Sequence, residues 1–137
     1  MSVFTAAFHS VMNSDAILTS ALRTFNNRPA IFTYEPVPKD VEFPYIITVG
    51  EVGNLSFDTK TTRGREITRD IRCYAEATGD AITLETIAER VRALFHRVDI
   101  SVTGFKIINS EVAGPITIDD NDAYGRVLTV TLLLDET

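Results

Sequence analysis

Tryptophan is absent from this 137-residue chain, cysteine occurs once and histidine twice. The lone Cys73 excludes an intramolecular disulfide. Cys73, His9 and His96 are too few and too scattered for a zinc site, which needs several such ligands at close spacing. No apolar run approaches the roughly 20 residues that span a bilayer. The opening "MSVFTAAFHSVMNSD" lacks the basic start of a secretory signal. Positive charge is in deficit as well: 13 Lys and Arg stand against 19 Asp and Glu, a net charge of −6. That balance argues against a protein that coats nucleic acid through a basic face.

What is present is an ordinary globular composition, 45% apolar and 23% charged. A chain of this length buries roughly 68% of its unfolded surface, enough for one domain spanning residues 1–137. The charge is unevenly placed. Asp58 to Arg72 holds five basic residues (Lys60, Arg63, Arg65, Arg69, Arg72) and three acidic ones (Asp58, Glu66, Asp70). That segment is +2, so the rest of the chain is −8. A positive patch of this kind suits a negative one on a partner; the same charges also suit a solvated hairpin.

Hydrophobic spacing orders the elements. Val3 to Leu22 reads as helix, with Phe4, Phe8, Val11 and Met12 on one stripe. "MNSD" allows a break there, after which Asp15 caps a second piece. Ala30 to Glu35 is a short strand, followed by a Pro-rich passage that is loop or edge. Tyr45 to Val52 is a β-branched, aromatic strand. In "REITRDIRCYA", Ile67, Ile71, Cys73 and Ala75 share one face, with Arg69 as the single intruder on it. Asp80 to Arg97 is the clearest helix, with Asp80 as its N-cap and Leu84, Ile87, Ala88, Val91, Leu94 and Phe95 as its stripe. Gly104 to Val112 and Tyr124 to Leu134 are strands, and "AGPITIDDNDA" is a turn-rich link between them. The order implies an α+β fold: a mostly antiparallel sheet, two helical segments on one face and an extended β-hairpin around residues 58–65.

Little in this pattern supports catalysis. His96 in a last helical turn suits the helix dipole, and Cys73 on a buried strand face is a packed residue rather than a nucleophile. Asp119, Asp120 and Asp122 lack the spacing of a calcium loop and read as turn residues. "TTRGRE" has one Gly and leads into a strand, unlike a phosphate-binding loop. Two functional alternatives stay open at this point. One is a nucleic-acid-binding module that contacts phosphates through residues 58–72. The other is a small hydrolase using His9 or His96 with a nearby carboxylate.

The leading helix, "FPYIITVGEV", "DTKTTRGREITRDIRCYA", "IAERVRALFH" and a terminal hydrophobic strand occur here in that order. In that series the chain resembles the tail-completion, or tail-terminator, family of long-tailed bacteriophages and gene-transfer agents. The likeness covers nearly the whole chain. It implies a structural virion protein without enzymatic activity, cofactor, metal or membrane. Such a protein forms a ring, usually of six subunits, on the head-proximal end of the tail tube. The ring stops tube polymerisation and meets neck or head-completion proteins, after assembly in the host bacterial cytoplasm. DNA passes through its lumen without specific binding. On this reading Asp58, Lys60, Thr61, Thr62, Arg63, Gly64 and Arg65 dock on a neighbouring subunit or on the tube's major protein. Gly64 supplies the freedom for the turn.

Overall fold

Ser14 and Asp15 divide the first helical stretch, so α1 (Val3–Asn13) and α2 (Ala16–Ala21) are separate helices. Asp15 holds an extended backbone, and its carboxylate accepts the Leu18 N–H at 2.9 Å, the N-cap expected of it. The computed structural model describes residues 3–33, 42–58, 63–79, 81–98, 100–119 and 123–136. Lys60, Thr61, Thr62, Asp80, Asp120 and Asp122 lie outside them, as do Tyr34 and Glu35.

Two two-residue strands, β1 (Thr24–Phe25) and β2 (Arg28–Pro29), form a small antiparallel ribbon after α2. The main sheet follows. Its strands are β3 (Ile31–Phe32), β4 (Tyr45–Asp58), β5 (Arg63–Glu76), β6 (Phe105–Thr117) and β7 (Ala123–Glu136). Their order across the sheet is β3-β4-β5-β7-β6. Only β3 runs parallel to its neighbour; the four long strands alternate in direction. Fourteen-residue strands span roughly 45 Å. The helix α3 (Ile82–Phe95) lies between β5 and β6 in sequence. Its N-cap is Ala81, with no side-chain cap bond. No helix among the described residues is long and apolar enough to cross a membrane.

All three helices cover one face of the sheet. Ile67, Ile71, Cys73 and Ala75 of β5 and Leu128, Val130, Leu132 and Leu134 of β7 point into that face and are buried. They meet Leu84, Ile87, Ala88, Val91 and Phe95 of α3, the stripe that its spacing predicts, while Leu94 is only partly buried. Phe4, Phe8 and Met12 of α1 complete the core, and the Phe8 ring stacks on Phe95 with centroids 4.8 Å apart. Such a pair contributes about 0.5–1.5 kcal/mol beyond its buried area.

The expected link at "AGPITIDDNDA" is shorter than the residue types imply, because β6 continues to Thr117. Glycine and proline are accommodated inside the strand by a register shift between Ala113 and Ile116. Gly114 takes φ +98 there, and a Cβ on it would lie 2.8 Å from the Val127 carbonyl oxygen. Proline has no N–H to give the ladder, and the bulge excuses it from giving one. Ser110, also in β6, ties the end of α3 to the sheet. Its hydroxyl donates to the Phe95 carbonyl at 2.7 Å and accepts the Val98 N–H at 3.2 Å.

Candidate functional site

The basic residues of the 58–72 segment separate once β4 and β5 pair. Because successive residues of a strand face opposite sides, Arg69 and Arg72 leave the sheet in opposite directions. Arg69 is fully buried beneath α1. Its Nη1 donates to the Thr5 hydroxyl at 3.0 Å, and its guanidinium carbon lies 5.1 Å from the Phe8 ring centroid. The intruder on the apolar face is thereby used as a tie between helix and sheet. Arg72 lies on the open face, where it lines a shallow cleft of about 420 Å³ with Asp70, Tyr74, Ile118, Asp119 and Val127.

Arg65 is held by its own chain. Its Nε sits 3.1 Å from Glu136 Oε1, and its guanidinium carbon lies 5.6 Å from the Phe105 ring centroid. Gly64 is not at the turn that sequence assigned to it: it lies buried within β5, paired with Phe57 and with Asp135. Turn freedom is therefore not its contribution. Arg63, at the start of β5 beside Asp58 of β4, is exposed. Of the cations expected to dock, Arg63 is thus presented to solvent and Arg65 is bound internally. The basic run forms no continuous patch among the described residues, and this weakens the phosphate-binding alternative.

The other candidates for chemistry also have structural uses. His96 Nδ1 accepts the Val112 N–H at 3.1 Å, fastening the end of α3 to β6. Asp119 Oδ1 accepts from the Gly125 N–H and from Arg126 Nη1, each at 3.1 Å, so it closes the approach to β7 as a turn residue. Burial raises the Cys73 thiol to a pKa of about 12, far from thiolate at neutral pH. No group of three or more His, Cys, Asp or Glu gathers to hold a metal among the described residues.

At one end of the open face the aromatic side chains of "FPY" join others from β1, β3 and β5. Phe43 stacks on Tyr45 with centroids 5.1 Å apart, and Tyr45 lies 5.5 Å from Tyr74 and 6.0 Å from Phe32. This cluster packs the start of β4 against β5, at the end of the hairpin opposite its turn.

Residues 10–135 match the family of tail completion protein gp17. The chain belongs to that family. A tail completion protein is a structural component of a phage-type virion, which agrees with a site built from strand edges and charged surface. Among solved structures, a chain from the virion of a native gene transfer agent particle superposes with a TM-score of 0.78. It is 17% identical, and the alignment covers 96% of this chain and 93% of that one. A second solved protein, 11% identical, gives a TM-score of 0.59 over 98% of this chain and 94% of its own. At these identities the likeness shows that the fold is shared. The comparison with curated proteins gave no match.

Sequence reasoning located the hairpin and the buried Arg69. It missed the internal engagement of Arg65, because Glu136 and Phe105 are more than 35 residues away in the chain and only the β5-β7-β6 order brings them near.

Proposed function

We propose that this tail-completion chain closes a ring, of six copies, on the head-proximal end of the tail tube. The ring ends tube polymerisation and gives neck or head-completion proteins a surface to join. The observation that carries this reading is the family match over residues 10–135. The fold supports it: the long β4–β5 hairpin provides an extended, charged surface on which another protein can dock. The chain acts without cofactor or turnover, and it resides in the virion after assembly in the host bacterial cytoplasm.

The hairpin end from Asp58 to Arg65 docks on the neighbouring subunit or on the tube's last ring. Lys60 and Arg63 meet carboxylates there, while Arg65 stiffens the base of the finger from within. Six chains of −6 carry about −36, a balance that discourages DNA from adhering as it passes.

Purified chain mixed with tail tubes tests the proposal directly. Electron microscopy should show one added ring at one end of each tube, and capped tubes should not lengthen when tube protein is supplied. Bare ends and continued growth would overturn it.

A further inference from the structure

The strand β5 carries opposite charges at its two ends. It begins at Arg63 and finishes at Glu76, and both side chains are exposed. Neither forms an ion pair among the described residues. Fourteen residues of strand hold the two roughly 45 Å apart. One chain therefore cannot bring its own pair together.

The Glu76 end is shaped as a socket. Phe43, Pro44, Ala75, Glu76, Thr78 and Thr83 line an open cavity of about 210 Å³. That is smaller than the roughly 300–1,000 Å³ of small-molecule sites, and it suits a single long side chain. Phe43 and Pro44 are half-buried, and the Phe43 ring is braced by its stacking on Tyr45. Glu42, the residue before Phe43, is paired with Arg23 at 2.9 Å. Glu76 is thus the unpaired carboxylate lining the cavity among the described residues. The positive end of α3 lies beside Thr83, and Glu85 in the same first turn offsets it. An aromatic ring next to one carboxylate fits a guanidinium better than an ammonium. The carboxylate accepts two N–H donors side by side, and the ring accepts the flat face of the cation.

The other end of β5 offers such a group. Arg63 opens the strand at the hairpin end, with Asp58 as its cross-strand neighbour. Arg65 is held by Glu136 and Phe105. Of these two arginines, Arg63 is the one available to a partner.

We infer that the Arg63 guanidinium of one copy enters the cavity of the next copy, where it pairs with Glu76 against the Phe43 ring. Peg and socket are different surfaces, so the contact is head-to-tail and closes into a ring when its rotation fits. The inference rests on the ring reading and deepens it by naming a carboxylate that the hairpin meets.

Full-length Arg63→Glu, Glu76→Arg and the double variant are each added to tail tubes, as is an equimolar mixture of the two single variants. Both positions are exposed, so every variant should melt near the parent. Each single variant sets like charges in every contact, and capped tube ends at a fixed concentration should fall roughly tenfold or more. The double variant restores the pair with its signs exchanged, and the mixture restores it in a ring of alternating chains. Both should recover capping, which a loss of folding or a contact with the tube alone would not allow. Loss in the single variants without either rescue would overturn the contact between copies. Capping by both single variants at the parent's level would overturn the inference and leave the ring reading intact. Bare tube ends with the parent chain would overturn the ring reading and this contact with it.

Discussion

Asp15 and Arg90 form a two-pronged ion pair: Arg90 Nε and Nη2 donate to the two carboxylate oxygens at 2.8 and 2.7 Å. The same carboxylate caps α2 through Leu18 N–H. One side chain thus starts a six-residue helix and fastens it to α3. The Arg90 hydrogen bonds lower the Asp15 pKa from its ordinary value of 3.8; burial opposes them, and the Leu18 N–H and the Arg90 charge add to the lowering. A lowered folded pKa stabilises the fold above the ordinary value, and that contribution disappears as pH falls through the folded one. Asp15→Asn keeps the cap, since Asn is as good there as Asp, and removes the charge. It should lower the thermal midpoint at neutral pH and flatten the loss of stability below about pH 4. Asp15→Ala should cost about 1 kcal/mol more through the missing cap. Thermal melts of the three chains across acid pH check this; identical acid profiles for Asp15→Asn and the parent would refute it.

Arg69 carries a different expectation. It fills a closed space under α1 and contacts Thr5 and Phe8 there. Arg69→Ala leaves a cavity, and large-to-small core changes cost about 2–5 kcal/mol. Arg69→Met keeps most of the volume and abandons the charge, a replacement that buried ionic groups often tolerate. Denaturant unfolding should rank parent, Met and Ala in descending midpoint, with Met nearer the parent. If Met is as damaging as Ala, polar contacts outweigh volume at this site.

The parts of the fold that could be read from the chain are those with local periodicity. Ile67, Ile71, Cys73 and Ala75 alternate cleanly, and the α3 stripe repeats at helical spacing, so both faces were legible. Asp15 was legible as a cap because its carboxylate acts on a residue only three positions away. The extension of β6 was not, since Gly114 and Pro115 are turn residues by type and only a bulge lets them remain in a strand. Arg90 was not either: off the apolar stripe of α3, nothing local distinguishes it from a solvated cation. The row that runs Leu55–Glu66–Leu133–Asn109 across the sheet depends on three register pairings between distant segments, information that no single stretch of sequence holds.

Cys73 reports on opening of the sheet. It is fully buried between β4 and β7, and its pKa is pushed up to about 12 by that burial. At pH 8 the native chain should react with a thiol reagent only as fast as it opens, and denaturant should make labelling prompt. The folded pKa lies above the ordinary value of 9.0. The associated stability is thus present below that value and declines as pH rises towards 12, by at most about 1.4 kcal/mol per pH unit. Cys73→Ala should lack this decline. Rapid labelling of the folded protein would contradict the burial.

Charge reversal at the hairpin separates folding from assembly. Arg65 is paired with Glu136 and lies over Phe105, whereas Arg63 is exposed at the start of β5. Arg65→Glu puts two carboxylates together where an ion pair stood, at a site only half-exposed, and should lower the thermal midpoint. A partly exposed pair contributes no more than about 1 kcal/mol, so the chain should still fold. Arg63→Glu should shift the melt only slightly, because Arg63 is exposed and a like-charge pair with Asp58, its cross-strand neighbour, costs at most about 1 kcal/mol. Its effect belongs to the partner: a reversed charge at the docking surface repels the carboxylates proposed there and slows association more than it speeds dissociation. Thermal melts of each variant, followed by electron microscopy of tubes mixed with it, give the two readouts. Arg63→Glu with a near-parental melt and normally capped tubes would remove the hairpin end from the interface, and a melt lowered as far as that of Arg65→Glu would place its role inside the fold.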